Sequence, residues 1–342
     1  MRIGVRVPPC APLPELVAFV QEAERLGFDD VWFPDSQLLW RDVFATAAAA
    51  AAGTSRIGLG TAVTNVVTRH PSVVAGAART AAELAPGRFV LGLGVGNSSV
   101  APAGLAPSTR SGLRAGLTAI RRLLSGEETD FGGARTRLRD PVPVPIHVAA
   151  SGPRNLRLAG ELADGAILLS GVSPEPLAAA MRQVAAGAAG RAAVPVTVSA
   201  FCRVTDTVRR DARELKPVCL SIAANGGAEF LEKAGIRVRV PERLPDLAPD
   251  LLHAESWESA IRACESFVDD YAAESFARRF CLYGTTDEIT ARLAELSRSG
   301  VSAVLLQEVG SYGLPRTLVA DWRTLRHREA AWTTPRSPHS AS

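Results

Sequence analysis

Three polar, glycine-containing segments follow short apolar runs in this 342-residue chain, and they carry the residues best suited to chemistry. In the third segment, Ser151 and Gly152 stand directly before Pro153, a residue type that often opens a helix. The first turn of a helix has unpaired backbone N–H groups and the positive end of the helix dipole, which together bind anions. The sequence therefore predicts a phosphate-binding helix start here, or a capped helix without a ligand.

The first two segments offer backbone and small polar side chains rather than titratable groups. The first is Gly60–Asn65 and the second is Gly92–Ser98. The second has the spacing GxGxG, not GxGxxG, and no acidic residue ends a following strand, which argues against a dinucleotide-binding fold. The glycines favour close approach of the backbone to a flat ring or its tail, with Asn97 and Ser98 as polar contacts. A glycine-rich turn without a ligand is the alternative.

Strand-length apolar runs alternate with helical periodicity, the pattern of parallel sheets built from βαβ units. The predicted strands are Ile3–Val7, Asp30–Phe33, Ile57–Gly60, Phe89–Leu93, Pro145–Ala149, Ala166–Leu169, Val196–Val204 and Ala303–Gln307. The predicted helices include Pro14–Leu26, Asp42–Ala52, Pro71–Ala85, Thr109–Leu124, Pro153–Ala163 and Pro174–Ala189. The length suits one barrel with insertions. The polar segments then lie at the strands' carboxyl ends, where barrel enzymes keep their chemistry.

The regular spacing breaks after the seventh predicted strand. We expect a single domain over residues 1–332, in which residues 205–283 form an irregular helical insertion before the last strand. This insertion should shape the pocket, although it contains no motif that identifies its role. The Pro- and Ser-rich residues 333–342 have the composition of a disordered tail.

Composition limits the function classes. The chain has 38 basic and 35 acidic residues, so no strong field favours nucleic acid or a membrane surface. Five cysteines without CxxC spacing argue against a disulfide framework or a zinc site, and no metal site is expected. The chain begins without the pattern of a secretory signal. A cytoplasmic protein is the simplest interpretation.

In this order and spacing, the three segments resemble those of the bacterial luciferase-like monooxygenase superfamily. They are similar in particular to its deazaflavin (coenzyme F420) branch, which includes methylenetetrahydromethanopterin reductases. The resemblance covers most of residues 1–170. It implies a (β/α)8 TIM barrel and a homodimer. It also implies an F420H2-dependent reductase that transfers a hydride to a C=C or C=N bond of a small-molecule or peptide substrate, in natural-product biosynthesis. An FMN-dependent monooxygenase and a non-catalytic cofactor-binding scaffold are the alternatives.

The resemblance also assigns residue roles. It implies a non-proline cis peptide at Ala62-Val63, pressed against the back of the cofactor ring, and a phosphate held by Ser151, Gly152, Arg154 and Asn155. The full set of implied cofactor-binding residues is Thr61, Ala62, Val63, Asn65, Gly94, Val95, Gly96, Asn97, Ser98, Ser151, Gly152, Pro153, Arg154, Asn155, Ser170 and Gly171.

Catalytic candidates follow the second strand. Asp35-Ser36 occupies the place where hydride-transferring relatives often have Asp-His. Serine does not titrate near neutral pH, so a different acid or water must serve any proton transfer. Asp35 is expected to contact the ring. Of the histidines, His147 is interpreted as a satisfied core residue, and His253 belongs to no recognisable constellation.

Overall fold

The computed structural model describes residues 1–310 and 312–328, so the predicted tail lies outside the described residues. Eight parallel strands form a closed barrel, in the order β1, β2, β3, β5, β8, β9, β10 and β12, with β12 beside β1. These strands are β1 (Arg2–Arg6), β2 (Asp30–Phe33), β3 (Gly58–Thr61), β5 (Phe89–Gly94), β8 (Ile146–Ala150), β9 (Gly165–Leu168), β10 (Val196–Val204) and β12 (Ala303–Gln307). The predicted (β/α)8 TIM barrel is confirmed.

Amphipathic helices cover the outside of the barrel and bury their apolar faces against the strands. They are α1 (Leu13–Leu26), α2 (Val43–Gly53), α3 (Pro71–Leu84), α4 (Arg110–Leu124), α5 (Pro153–Leu162), α6 (Pro174–Gly187), α12 (Thr286–Arg298) and α13 (Arg316–Arg326). Local chemistry sets their ends. Gly27, at φ 81°, ends α1 in the left-handed conformation, and Thr285 with Glu288 forms a capping box at the start of α12.

Four short strands escaped prediction. They are β4 (Thr64–Asn65), β6 (Thr129–Phe131), β7 (Ala134–Thr136) and β11 (Leu282–Gly284). β6 and β7 form a separate antiparallel hairpin, β4 extends the pairing of β5, and β11 pairs with the end of β10. Strands of two or three residues are too short to produce a detectable alternation of apolar and polar residues.

The insertion between β10 and β11 contains five helices and a long irregular connection. The helices are α7 (Val208–Asp211), α8 (Lys216–Ile222), α9 (Ala228–Lys233), α10 (Trp257–Cys264) and α11 (Asp270–Phe280). Apolar side chains of these helices pack into a cluster of their own, apart from the barrel core. Residues 235–249, which include Pro241, Pro245 and Pro249, form neither helix nor strand.

In the described residues, no helix is both long enough and apolar enough to cross a bilayer.

Candidate functional site

A cavity of about 380 Å³ opens at the carboxyl ends of the barrel strands. Its apolar surface comes from small or branched side chains on four sides of the barrel: Ala62, Val63, Ala149, Ile167 and Leu305. The barrel interior below them is filled by Trp32 together with Ile167 and Leu305. The cavity therefore has an apolar floor and apolar walls, which suit the face of a flat organic ring.

A backbone bulge after β3 forms one wall of the cavity. β3 and β4 both pair with β5, and residues 62–63 interrupt the pairing between them. The peptide bond between Ala62 and Val63 is cis, as the resemblance implied. A Cβ atom on Gly92 would lie 1.9 Å from the carbonyl oxygen of Thr61, and one on Gly94 would lie 2.7 Å from Val63 Cγ2. The absence of a side chain at these two glycines leaves the space that the bulge occupies. Gly94 also lines the cavity.

Two predicted cofactor contacts face protein instead of the cavity. The Thr61 hydroxyl donates to the Gly92 carbonyl at 2.7 Å and accepts from the Gly92 N–H at 2.9 Å. The Asn65 side chain donates to Ser99 Oγ at 3.0 Å, and its oxygen accepts from two N–H groups of the following turn. Both side chains are buried and neither lines the cavity. Their hydrogen bonds hold the bulge against β5.

The second segment lies along the rim of the cavity. Val95, Gly96, Asn97 and Ser98 all line it. Gly96 has φ 85°, and a Cβ atom there would meet Val100 Cγ1 at 2.8 Å, so only glycine suits this turn. The turn brings its backbone and polar side chains over the cavity.

The two predicted catalytic residues line the cavity but are engaged by neighbours. Asp35 is 4% exposed, and its Oδ2 accepts from the Thr64 hydroxyl at 2.6 Å. Arg69 donates to both Asp35 oxygens at 3.2 Å. Burial lowers the pKa of Arg69, but the carboxylates of Asp35 and Asp42 together raise it by more. The pKa of Arg69 is therefore raised overall. Ser36 Oγ lies 2.6 Å from Ser98 Oγ. Asp35 thus holds a structural ion pair at the cavity wall.

The start of α5 meets the cavity at its edge. Ser151 and Asn155 line the cavity, whereas the exposed residues Gly152, Pro153 and Arg154 do not. A Cβ atom on Gly152 would have no neighbour within 4 Å, so the space before the helix is open. The predicted anion site is therefore accessible and continuous with the cavity.

Ser170 and Gly171, which the resemblance assigns to the cofactor, do not line the cavity. Gly171 packs so closely on α11 that a Cβ atom would lie 2.8 Å from the Phe280 carbonyl oxygen. Leu169 lines the cavity in their place. The chain turns outward directly after Leu169, because the insertion packs against residues 171–172.

The interpretation of His147 as a satisfied core histidine was wrong. Its Nδ1 atom is buried and has no hydrogen-bond partner among the described residues. The ring lies inside the barrel, 5.5 Å from the Trp32 ring, where the neighbouring backbone groups already pair within the sheet. Burial lowers the pKa of His147, against smaller opposing effects of Asp164 and Asp30.

Sequence reasoning missed His253, which lines the cavity from the insertion. Its Nδ1 atom lies 3.0 and 2.9 Å from the two oxygens of Asp250. Burial raises the pKa of Asp250, but the contact with His253 and two backbone N–H groups lowers it more. The His253 ring also meets the edge of Trp40 at 5.6 Å. The D-x-x-H spacing was the only sequence signal.

Arg6 was also missed, because a charged residue at the end of a strand usually faces solvent. It lines the cavity from the end of β1, and its guanidinium carbon lies 5.9 Å from the centre of the Trp40 ring. Burial lowers the pKa of Arg6 to about 10. Among the described residues, no carboxylate forms an ion pair with it.

A family model described as luciferase-like monooxygenase matches residues 1–303. A 5,10-methylenetetrahydromethanopterin reductase from Methanolobus tindarius is 31% identical over 320 residues, or 89% of this chain and 93% of the relative. An F420-dependent glucose-6-phosphate dehydrogenase from Beutenbergia cavernae is 41% identical over 181 residues, which are 47% of this chain and 54% of the relative.

Solved structures share the architecture. A coenzyme F420 dependent tetrahydromethanopterin reductase from Methanopyrus kandleri superposes with a TM-score of 0.74 at 21% identity, covering 97% of this chain and 99% of the other. An F420-dependent secondary alcohol dehydrogenase gives a TM-score of 0.69 at 17% identity, covering 97% and 99%. At such identities the superpositions support the fold alone.

Proposed function

The chain belongs to the luciferase-like monooxygenase family, and from this premise we propose that it is a reductase that transfers a hydride from reduced coenzyme F420 to a C=C or C=N bond of an organic substrate. The coarser statement, an F420-dependent oxidoreductase, rests on the family match, on the reductase that is 31% identical over 89% of this chain, and on the F420-dependent dehydrogenase that is 41% identical over 47% of it. The observation that carries the proposal is one cavity that joins an apolar floor to an open helix N-terminus.

The residues present fit a deazaflavin. Ala62, Val63 and Ile167 offer an apolar surface for the ring, and the bulge supports one side of it. Ser151 and Asn155 stand at the start of α5, where the open space before Gly152 leaves room for a phosphate. Reduced F420 supplies a hydride when it is bound in such a site. The protein's contribution is to orient the ring and to exclude water from it.

Reduction of a C=C or C=N bond also needs a proton, and His253, which lines the cavity, is the donor in this proposal. The hydride forms one new C–H bond, the π bond breaks, and its electron pair takes a proton at the other atom. In the protonated ring, Nδ1–H donates to Asp250 while Nε2–H is available for the substrate. After transfer, the neutral ring keeps Nδ1–H, and solvent returns the proton to Nε2.

The other acids at the cavity are less suited to this transfer. Asp35 is engaged by Arg69 and Thr64. Glu308 lines the cavity, and burial raises its pKa against weaker effects of Thr317 and the Leu318 N–H, but its Oε2 atom is buried. Ser36 shares a hydrogen bond with Ser98 and is an alcohol. His253 therefore takes the role that the missing histidine beside Asp35 leaves open.

Binding and turnover together test the proposal. The purified chain is titrated with F420 and with FMN, and oxidation of F420H2 is followed with cyclohexenone as a C=C probe and 1-pyrroline as a C=N probe. We expect F420 to bind at least 10-fold more tightly than FMN and at least one probe to be reduced. Preference for FMN with oxygen consumption would indicate a flavin monooxygenase. Binding of neither cofactor would indicate a non-catalytic scaffold.

The remaining expectations stay proposals of the same kind. We propose a homodimer in the cytoplasm that acts on a small molecule or a peptide in natural-product biosynthesis. Gel filtration with light scattering tests the dimer. Reduction of a peptide-linked C=N bond, compared with that of 1-pyrroline, tests the size of the substrate.

A further inference from the structure

Arg6 is a cation at the cavity that no described carboxylate pairs with. Its guanidinium makes no hydrogen bond to a described residue and lies over the face of the Trp40 ring. Glu308 lines the same cavity, and with Glu255 it also lines an adjoining cavity that Arg6 borders, yet neither carboxyl group forms an ion pair with Arg6. A partly buried cation without a partner costs stability, so its retention needs an explanation.

The position of Arg6 separates it from the anion site at α5. β1 and β8 are diametrically opposite in the barrel, with three strands between them on either side. Ala62 and Val63, which would hold the cofactor ring, follow β3, and β3 lies between β1 and β8 in the barrel. Arg6 then lies on the far side of the cavity, where the substrate must enter.

A neighbouring amide completes the geometry of an anion site. Gln307 follows Leu306, the register partner of Val5, so it stands beside Arg6 at the same edge of the sheet. Both residues line the cavity. A guanidinium offers two parallel N–H donors to the two oxygens of a carboxylate or phosphate, and an amide can add a third.

We propose that Arg6, with Gln307 beside it, binds an anionic group of the substrate, so that the substrate is a carboxylate or a phosphate ester. The proposal rests on the proposed function, because it assigns the other end of the cavity to the cofactor. The substrate's anion pairs with the guanidinium and its reducible bond faces His253, across the intervening Trp40 ring. The bound anion supplies the negative charge that no described residue pairs with Arg6.

Anion-induced stabilisation tests this assignment in the full chain without any cofactor. The melting temperature is measured with increasing inorganic phosphate and, separately, acetate, in wild type, Arg6→Met and Arg6→Lys, and in each of these combined with Ser151→Glu, whose carboxylate closes the anion site at α5. We expect phosphate and acetate to raise the melting temperature of wild type and of Ser151→Glu. When Arg6→Met is added to Ser151→Glu, we expect at least 10-fold weaker apparent affinity for both anions. Arg6→Lys should fall between, since it keeps the charge and loses the paired donors.

Arg6→Met should fold at least as stably as wild type, because it removes an unpaired charge and keeps the apolar stem. An anion response in Arg6→Met combined with Ser151→Glu equal to that of Ser151→Glu alone would overturn the proposal. F420 titration of the same variant separates cofactor from substrate. Unchanged F420 affinity supports a substrate subsite, and a 10-fold loss would assign Arg6 to a cofactor anion instead. If wild type binds no F420 but keeps an Arg6-dependent anion response, the proposed function fails and the anion subsite stands.

Discussion

The strand ends of the barrel and the insertion between β10 and β11 contribute to one cavity in different ways. The barrel supplies backbone, small side chains and an open helix N-terminus, most of which come from segments with recognisable spacing. The insertion supplies Leu252, His253 and Trp257 from irregular backbone and the start of a helix. Under the proposals above, the strand ends near α5 hold the cofactor, whereas the insertion, together with Arg6 and Gln307 on the far side of the barrel, meets the substrate.

The largest expected effect is on the insertion side of this comparison. His253→Ala should lower turnover of a reducible probe about 100-fold or more, because general acid catalysis contributes roughly that amount. F420 affinity should stay within about 2-fold of wild type, since His253 belongs to the insertion and is not one of the residues assigned to the cofactor. Added imidazole should recover part of the rate. Steady-state kinetics and fluorescence titration measure the two quantities.

His70→Ala is a matched control for that experiment. His70 is exposed and accepts a hydrogen bond from the Ser72 N–H at the start of α3, outside the cavity. Its loss should leave turnover unchanged. Equal activity of His253→Ala and wild type would contradict the assigned role, and a parallel loss of F420 binding would contradict the assignment of the cofactor to the strand ends near α5.

The next effect concerns the stability of the barrel wall. Asp35→Asn should lower the free energy of unfolding by about 3 kcal/mol, because it leaves the Arg69 charge partly buried without its main partner. Denaturant unfolding measures the change. Glu161→Gln, which removes an exposed ion pair with Arg114, is the control and should cost less than about 1 kcal/mol. Similar losses in both variants would mean that burial does not distinguish the two pairs.

A smaller effect is expected at the start of α5. Ser151→Glu should weaken F420 binding about 10-fold, because a carboxylate there competes with and repels the phosphate. Turnover at saturating cofactor should change little, since His253 is unaffected. The dissociation constant from fluorescence titration, set against the rate at saturation, tests this. If Ser151→Glu leaves the affinity for F420 unchanged, the phosphate of F420 does not bind at the start of α5.

The smallest effect is expected for Ser36→Ala. Its hydroxyl is paired with Ser98, and an alcohol is a poor proton donor beside an imidazole. Turnover should fall less than about 3-fold, with unchanged F420 affinity. A loss of turnover comparable to that of His253→Ala would assign the proton transfer to Ser36, on the barrel, and not to the insertion.

The difference between the barrel and the insertion also explains which parts of the structure could be predicted from the sequence. The barrel strands were predicted to within a residue or two, because each is a continuous apolar run bounded by helical periodicity. The cis bond at Ala62-Val63 was implied correctly by the resemblance. Thr61 and Asn65 were assigned to the cofactor, although their side chains hold the bulge. Spacing identifies where a polar residue lies along a strand end, but not whether protein or ligand takes its hydrogen bonds.

The insertion resisted prediction for a physical reason. Its helices are short, and the approach of His253 to the cavity depends on how residues 235–256 pack, which no periodic pattern encodes. Asp250 and His253 look like ordinary loop residues until the tertiary structure brings His253 to the cavity that Ala62 also lines. Arg6 was hidden in the same way, since only closure of the barrel turns the end of β1 inward.

The pairing of β11 with β10 has a consequence for the evolution of this protein. It pairs with Cys202–Val204, and the Thr205 N–H donates to the Gly284 carbonyl at 2.8 Å, so the chain leaves and re-enters the barrel at adjacent points. The intervening residues also pack around an apolar cluster of their own. Residues 206–281 therefore resemble an interchangeable module, and a different module grafted at the same junction would replace His253 together with one wall of the cavity, while the strand ends of the barrel stay unchanged.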